Sequence, residues 1–309
     1  MVAPTMEGGS LEMEPLEALR KAGRIASQVR GRVHGLVEVG TRLIDICESV
    51  ETWIRDLGGE PAFPCNVDID HVAAHYTSPP GDASAILDGS LVKVDIGVHV
   101  DGYIADTATT VCFDPLLEGL VEAAEAALEA GLKTIRAGAR SSDVGAAIER
   151  EMKMRGVAPV RNLSGHKVAR YIIHAGTDIP NVAARRGHRL EAGETYAIEP
   201  FSTLPGAAGE VRDGPPGHIY RFQKKRRVSG GAAKRMLKFI QSRYRTLPFA
   251  SRWVIGRFPG PEGRAAFQEL VRSRCVYAYP QLVERSGGPV AQAEHTVIVT
   301  EDGCEVTTA

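Results

Sequence analysis

The 309-residue sequence predicts a mixed α/β (α+β) fold, built from two similar halves and carrying a basic, largely helical insertion. Three observations lead there. A helix–helix order occurs twice, and Gly40, Asp45 and Gly58 match Gly138, Asp143 and Gly156 at a constant offset of 98 residues. Two strand-like runs flank Asp101-Gly102, a dipeptide that favours a tight hairpin turn. Between Asp213 and Glu262 the chain has twelve Lys and Arg and no Asp or Glu.

Taken in order, apolar residues at helical spacing predict helices over 14–37 and 42–57, the second stopped by Gly58-Gly59. The stretch 63–78 follows, with His75 on an apolar-to-polar edge where a structural and a catalytic role are both open. The run 91–113 (LVKVDIGVHVDGYIADTATTVCF) reads as the hairpin. With Asp101-Gly102 at the turn centre, Asp95 lies opposite Ala108, and Asp106 shares Asp95's face. Two carboxylates as diagonal neighbours in apolar strands repel each other and resist desolvation. A cation between them removes both costs, and an uncharged polar cluster is the alternative. The second half repeats the plan, with a helix over 118–135 and another after Gly138 ending at Gly156.

Residues 162–176 (NLSGHKVARYIIHAG) place His166 and His174 eight apart. The Ser164-Gly165 approach marks a strand edge where the backbone comes close to something. Residues 195–201 alternate, with Ala197, Glu199 and Phe201 on one face. Residues 291–299 alternate likewise, with Glu294 facing away from Ala293 and His295. Glutamates inside short apolar strands are uncommon unless paired or ligated. Two helical pieces, 232–245 and 261–274, are expected within the basic segment, separated by a loop and flanked by short strands.

Composition excludes several classes. Apolar residues at 43% and charged residues at 24% suit a soluble globular protein. No apolar run approaches the roughly 20 residues of a membrane span, and the first fifteen residues lack the basic flank and apolar core of a signal peptide. Five cysteines, Cys47, Cys65, Cys112, Cys275 and Cys304, lack zinc-knuckle spacing and read as reduced thiols, one disulfide remaining open. The net charge of −1 hides a segment of +12 on a body of −13. Such an island is either a solvated helical face or a surface for RNA or the ribosome.

Asp95, Asp106, His166, Glu199 and Glu294 together offer oxygen and nitrogen ligands without cysteine, a set suited to Mn(II), Fe(II), Co(II), Ni(II) or Zn(II). Four carboxylates balance two divalent ions, whereas a single ion leaves uncompensated negative charge buried. Water shared between two such ions loses a proton near neutral pH. That chemistry, beside a held free α-amine, suits hydrolysis of an N-terminal peptide bond. Stripping the metal is expected to raise the clustered carboxyl pKa values and to lower stability above neutral pH.

The motifs AAHYTS, VDIGVHVDGYIAD, LSGHKVARYIIHAG, YAIEPF and AQAEHT, in this order, resemble methionine aminopeptidases of the second type. The resemblance runs from about Met13 onward, and the absence of a long charged N-terminal extension is similar to the archaeal forms. It implies the pita-bread creatinase/aminopeptidase fold, with pseudo-twofold halves over 1–218 and 277–309 and a winged-helix-like insertion over 219–276. It further implies that Asp95 chelates one metal, Asp106 and Glu294 bridge both, and His166 and Glu199 complete the other shell. By the same resemblance, Glu199 accepts a proton from the bridging water. His174 hydrogen-bonds the scissile carbonyl or its oxyanion, and His75 contacts the substrate beyond. Phe63, Ile173, Phe201, His218, Tyr279 and Leu282 would form the methionine pocket.

The implied activity is removal of the initiator methionine from nascent polypeptides when the second residue is small. The implied setting is a cytoplasmic monomer with no membrane partner, and the basic segment 221–257 is expected to contact ribosomal RNA. Two departures from the family stand out: Ala293 replaces the usual aromatic before the last glutamate, and 202–209 (STLPGAAG) is less glycine-regular. Other readings are a Xaa-Pro peptidase of the same fold and a non-catalytic binding protein. The second would be free to lose ligands, and none of the five is lost.

Overall fold

The computed structural model describes residues 14–309; the reading of the first residues as lacking a signal peptide lies outside them. The first half runs α1 (Pro15–Val33), α2 (Leu43–Asp56), β1 (Glu60–Pro61), β2 (Asn66–Ile69), β3 (Val72–Ala74), β4 (Leu91–Val100) and β5 (Tyr103–Cys112). The second half runs α3 (Glu118–Leu132), α4 (Ser141–Met154), β6 (Ala158–Pro159), β7 (Ser164–Val168), β8 (Asp178–Pro180), β9 (Thr195–Ile198) and β10 (Phe201–Thr203).

The helix pairs form because each presents one apolar face to a sheet. Ala22, Ile25 and Val29 of α1 and Ile46 and Val50 of α2 pack with Val94, Ile96 and Val98 of β4. In the other half, Ala124 and Leu128 of α3 and Val144 and Ile148 of α4 meet Tyr196 and Ile198 of β9. The positions matched by sequence do the same work twice. Gly40 and Gly138 both hold a positive φ, as do Gly58 and Gly156, a conformation that costs glycine little. Asp45 accepts from the Arg42 guanidinium and Asp143 from the Arg140 backbone N–H, each in the first turn of its helix and each favoured there by the helix dipole. The two similar halves expected from the sequence are present.

The chain then enters β11 (Val211–Phe222), α5 (Gly231–Tyr244), β12 (Phe249–Ala250), α6 (Ser251–Arg257), α7 (Gly260–Arg272) and β13 (Val276–Glu284), and closes with β14 (Val290–Gln292), β15 (His295–Val299) and β16 (Cys304–Val306). β11 and β13 pair antiparallel and carry the chain out and back. Between them Met236, Ile240, Phe249, Phe267 and Leu270 form a separate apolar cluster. The seven-residue α6 occupies what reads in sequence as a loop, being too short to show a helical period.

Eleven of the twelve basic residues of this segment are exposed, and Arg252 on α6 is not. Its guanidinium is buried against the Glu51 carboxylate of α2 and donates to Thr77 Oγ1 at 2.7 Å and to the Ser78 carbonyl at 3.1 Å. The segment is thus tied to the first half by a buried ion pair rather than floating as a uniformly solvated face. All five cysteines are free thiols. Among the described residues, no helix is long and apolar enough to cross a membrane.

Candidate metal centre

The β4–β5 hairpin has the register its turn requires. Asp101 and Gly102 take positive φ values of 51° and 86°, the geometry of a primed two-residue turn. Asp95 then pairs with Ala108, and Asp106 with Gly97, so the two carboxylates share a face. The second half joins this hairpin at an isolated bridge between Ala108 and Glu294, supported by Thr107 Oγ1 donating to the Glu294 carbonyl at 2.7 Å. Thr296 Oγ1 locks it by accepting from the Asp106 backbone N–H at 2.7 Å and donating to the Asp106 carbonyl at 2.8 Å.

His166 arrives from the other side, on β7 between β8 and β9. The preceding Gly165 is where the backbones close up, since a Cβ there would lie 2.4 Å from the Ala197 carbonyl oxygen. Residues 195–201 do not form the continuous strand their alternation predicts. The ladder breaks at Glu199-Pro200, because Pro200 has no N–H to give. The Glu199 carbonyl accepts instead from Asn181 Nδ2 at 3.1 Å, and the Glu199 side chain lines the cavity.

Ligating atoms of Asp106, His166 and Glu294 lie within 4.8 Å of one another. His166 Nε2 is 3.8 Å from Asp106 Oδ2 and 3.6 Å from Glu199 Oε1. Asp95 Oδ2 accepts from Asn66 Nδ2 at 3.4 Å, and Glu294 Oε2 from Gln292 Nε2 at 3.3 Å. Asp95 Oδ1, Asp106 Oδ1 and His166 Nδ1 are buried without any protein partner.

Burial pushes the Asp95 carboxyl up to about 7, and burial together with neighbouring carboxylates pushes Asp106, Glu199 and Glu294 well above their usual range. Burial drives His166 down to about 3, so its ring is neutral. Orphaned oxygens, crowded carboxylates and a neutral imidazole are what a divalent cation would satisfy, so the residues fit a metal. Without it, the folded carboxyls bind protons more tightly than the unfolded ones, and stability falls as pH rises from the unfolded carboxylate range through about 7. The melting temperature of chelated protein is therefore expected to drop between pH 5 and 8. A flat profile would contradict this.

The four carboxylates and His166 open into a cavity of about 200 Å³ that Phe63, Ile173, Phe201, Tyr279 and Leu282 also line. His75 and His174 stand in the same cavity. His75 holds a φ of 72°, unusual for a non-glycine residue and common at functional positions. Its Nδ1 lies 3.3 Å from the Pro280 carbonyl, which can only accept, so the proton sits on Nδ1 and Nε2 is an acceptor. The His174 ring lies 4.1 Å from that of His166.

His218 is the residue out of place. Its Nδ1 is 3.1 Å from Ser251 Oγ on α6, and its strand neighbour Ile219 lines the cavity instead. Alternation along β11 gives the cavity one of the pair and not both. Ser164, expected only as part of a close backbone approach, lines the cavity, as do Asn66, Asn162 and Pro248, which the sequence motifs do not single out. Asn66 pairs directly opposite Asp95, so aligning β2 against the DIG strand could have found it. Pro248, which lies in the segment between α5 and β12, carries no local signal.

The model of metallopeptidase family M24 matches residues 17–301. Over 296 residues the chain is 46% identical to a methionine aminopeptidase of Methanothermobacter thermautotrophicus, covering 95% of this chain and 98% of that protein. Over 297 residues it is 47% identical to one from Thermococcus kodakarensis, covering 96% and 100%. The structure of a thermophilic Arx1 superposes with a TM-score of 0.81 at 16% identity, covering 96% of this chain and 91% of that one, a likeness of fold. With the family's pita-bread architecture in its two halves and its model matched over nearly the whole chain, this protein belongs to metallopeptidase family M24.

Proposed function

We infer that this chain is a methionine aminopeptidase, a metal-dependent hydrolase that removes the initiator methionine from polypeptides whose second residue is small. One observation carries the reading: four carboxylates and His166 converge in a cavity that also holds the neutral His75 and His174 and a group of apolar side chains. An unbranched thioether suits such a wall, and Phe63, Ile173, Phe201, Tyr279 and Leu282 supply it. Asp95, Asp106, His166, Glu199 and Glu294 would hold two divalent ions, whose number follows from charge balance and whose identity stays among Mn, Fe, Co, Ni and Zn. When bound, those ions supply an acidified water and polarise the acyl carbonyl.

The chain's own residues do the rest. Glu199, ionised once bound metal charge offsets its neighbouring carboxylates, would accept a proton at Oε1. Burial lowers the pKa of His174, so it is neutral near pH 7 and donates a hydrogen bond to the carbonyl oxygen as negative charge grows there. His75, pushed to about 4 by burial, stays neutral and offers Nε2 to the amide N–H of the departing chain.

The same proposal treats 219–276 as an insertion in a catalytic domain of 1–218 and 277–309, supported by its separate apolar cluster. It places the enzyme in the cytoplasm as a monomer, where nascent chains emerge. Exposed Lys224, Lys225, Arg226 and Arg227 would face ribosomal RNA; their neutralisation should weaken ribosome cosedimentation, and more so at low salt. Unchanged cosedimentation would exclude that contact.

The activity itself is tested with chelated protein restored with each ion in turn and given Met-Ala-Ser, Ala-Ala-Ser or N-acetylated Met-Ala-Ser. Metal-dependent cleavage of the free Met-Ala-Ser alone is expected. Equal cleavage of all three, or none with any ion, would overturn the reading.

A further inference from the structure

We propose that Arg221, seated on Tyr277 and Tyr279 at the mouth of the cavity, is a subsite for acidic side chains at the third and fourth residues of the polypeptide being processed. The proposal rests on the aminopeptidase reading and adds a preference that reading does not contain.

Arg221 on β11 pairs directly opposite Tyr277 on β13, and Tyr279 is two residues further along the same strand face. The guanidinium carbon lies 5.5 Å from the Tyr277 ring centre and 5.9 Å from that of Tyr279. The two tyrosines meet edge to face at 5.2 Å, and Tyr279 meets His75 in the same manner at 5.5 Å. An unbroken row of rings therefore leads from His75, inside the cavity, outward to Tyr277, which is 40% exposed.

Arg221 stands at the open end of that row. The two rings hold the guanidinium by its charge and, among the described residues, no carboxylate engages its N–H groups, which suit a planar acceptor.

The charge there is uncompensated. Within the basic segment Arg243 pairs with Glu60, Arg252 with Glu51 and Arg235 with Glu262. Among the described residues Arg221 has no carboxylate partner, and its contact with Tyr279 sets it beside a residue that lines the cavity. Its exposed neighbours 224–227 lie beyond the strand end and have no such ring support. With the scissile bond at His75 and His174, each step along the row spans less than 6 Å. An extended chain gains ~3.3–3.6 Å per residue, so the residues that reach Arg221 are the second and third after the bond. A carboxylate there gains a charge-assisted hydrogen bond, and a lysine meets a like charge.

The experiment compares kcat/KM for Met-Ala-Asp-Gly-Trp against Met-Ala-Lys-Gly-Trp, and for Met-Ala-Gly-Asp-Trp against Met-Ala-Gly-Lys-Trp, with metal-loaded protein at low and high salt. The acidic member of at least one pair is expected to be about tenfold better at low salt, and less so at high salt. Arg221→Ala should bring that ratio to about one, and Arg221→Glu should invert it. Each ratio is measured within one protein preparation, so partial loss of folded enzyme does not alter it. A ratio near one in the native protein, or a native ratio kept by Arg221→Ala, overturns the subsite and leaves the aminopeptidase reading standing. Failure of every peptide, Met-Ala-Ser included, overturns both.

Discussion

Asp106→Asn is expected to lower kcat/KM for Met-Ala-Ser by ~10³-fold, because loss of metal-assisted stabilisation costs several kcal/mol. Asp106 is chosen because it is central. It is 3% exposed, faces His166 Nε2 at 3.8 Å and shares its cluster with Glu294. Thr296 clamps its backbone on both sides, so the side chain cannot be replaced by a shifted neighbour. The amide is isosteric but neutral, and it withdraws one charge from a site that needs four.

A second readout separates this from simple damage. Asp106 is a buried carboxyl held far above its usual pKa by burial and by neighbouring carboxylates. Neutralising it removes repulsion, so the chelated variant should melt no lower than chelated parent protein at pH 8. Calorimetric titration should show weakened uptake of divalent ions. Less than tenfold loss of activity with undiminished metal binding would exclude Asp106 as a ligand.

Arg252→Ala should produce the largest loss of stability, about 3–5 kcal/mol, because it strands the Glu51 carboxylate in the interior. Both side chains are almost wholly buried, at 5% and 3% exposure. Glu51 also accepts from Trp253 Nε1 at 2.7 Å and from the Cys65 backbone N–H at 3.2 Å, so one carboxylate ties α2, α6 and the entry to β2 together. Those two donors remain after truncation and cannot supply the missing charge.

The expected signature in urea unfolding is a lower midpoint with an unchanged slope. Pairing Glu51→Gln with Arg252→Met should recover much of the loss, since replacing both members removes the desolvation cost along with the attraction. If Arg252→Ala costs less than 1 kcal/mol, the pair does not anchor the segment between β11 and β13.

The hairpin and its two carboxylates were legible because Asp101-Gly102 fixes the register, and register fixes faces. The repeat was legible because Gly40 and Gly138 need the same positive φ, which few other residues adopt. Resemblance in five separated motifs added the ligand roles and the pocket, which periodicity alone did not give. His218 was misplaced because neighbouring strand residues point to opposite faces, and only the packing of α6 decided which of His218 and Ile219 lines the cavity. The break at Glu199-Pro200 was hidden for a related reason. The alternation is intact in the sequence, and the ladder stops where Pro200 has no N–H and Asn181 takes the Glu199 carbonyl.

By itself, then, the sequence determined the two-halved architecture, the hairpin register and the residue types able to hold metal, because local propensity and short-range pairing set all three. The tertiary structure decided which residues meet across the chain. Glu294 reaches Ala108, Arg252 is buried on Glu51, and Arg221 lies against Tyr277 and Tyr279 of β13. Such contacts depend on how separately formed elements pack, and no local pattern encodes that.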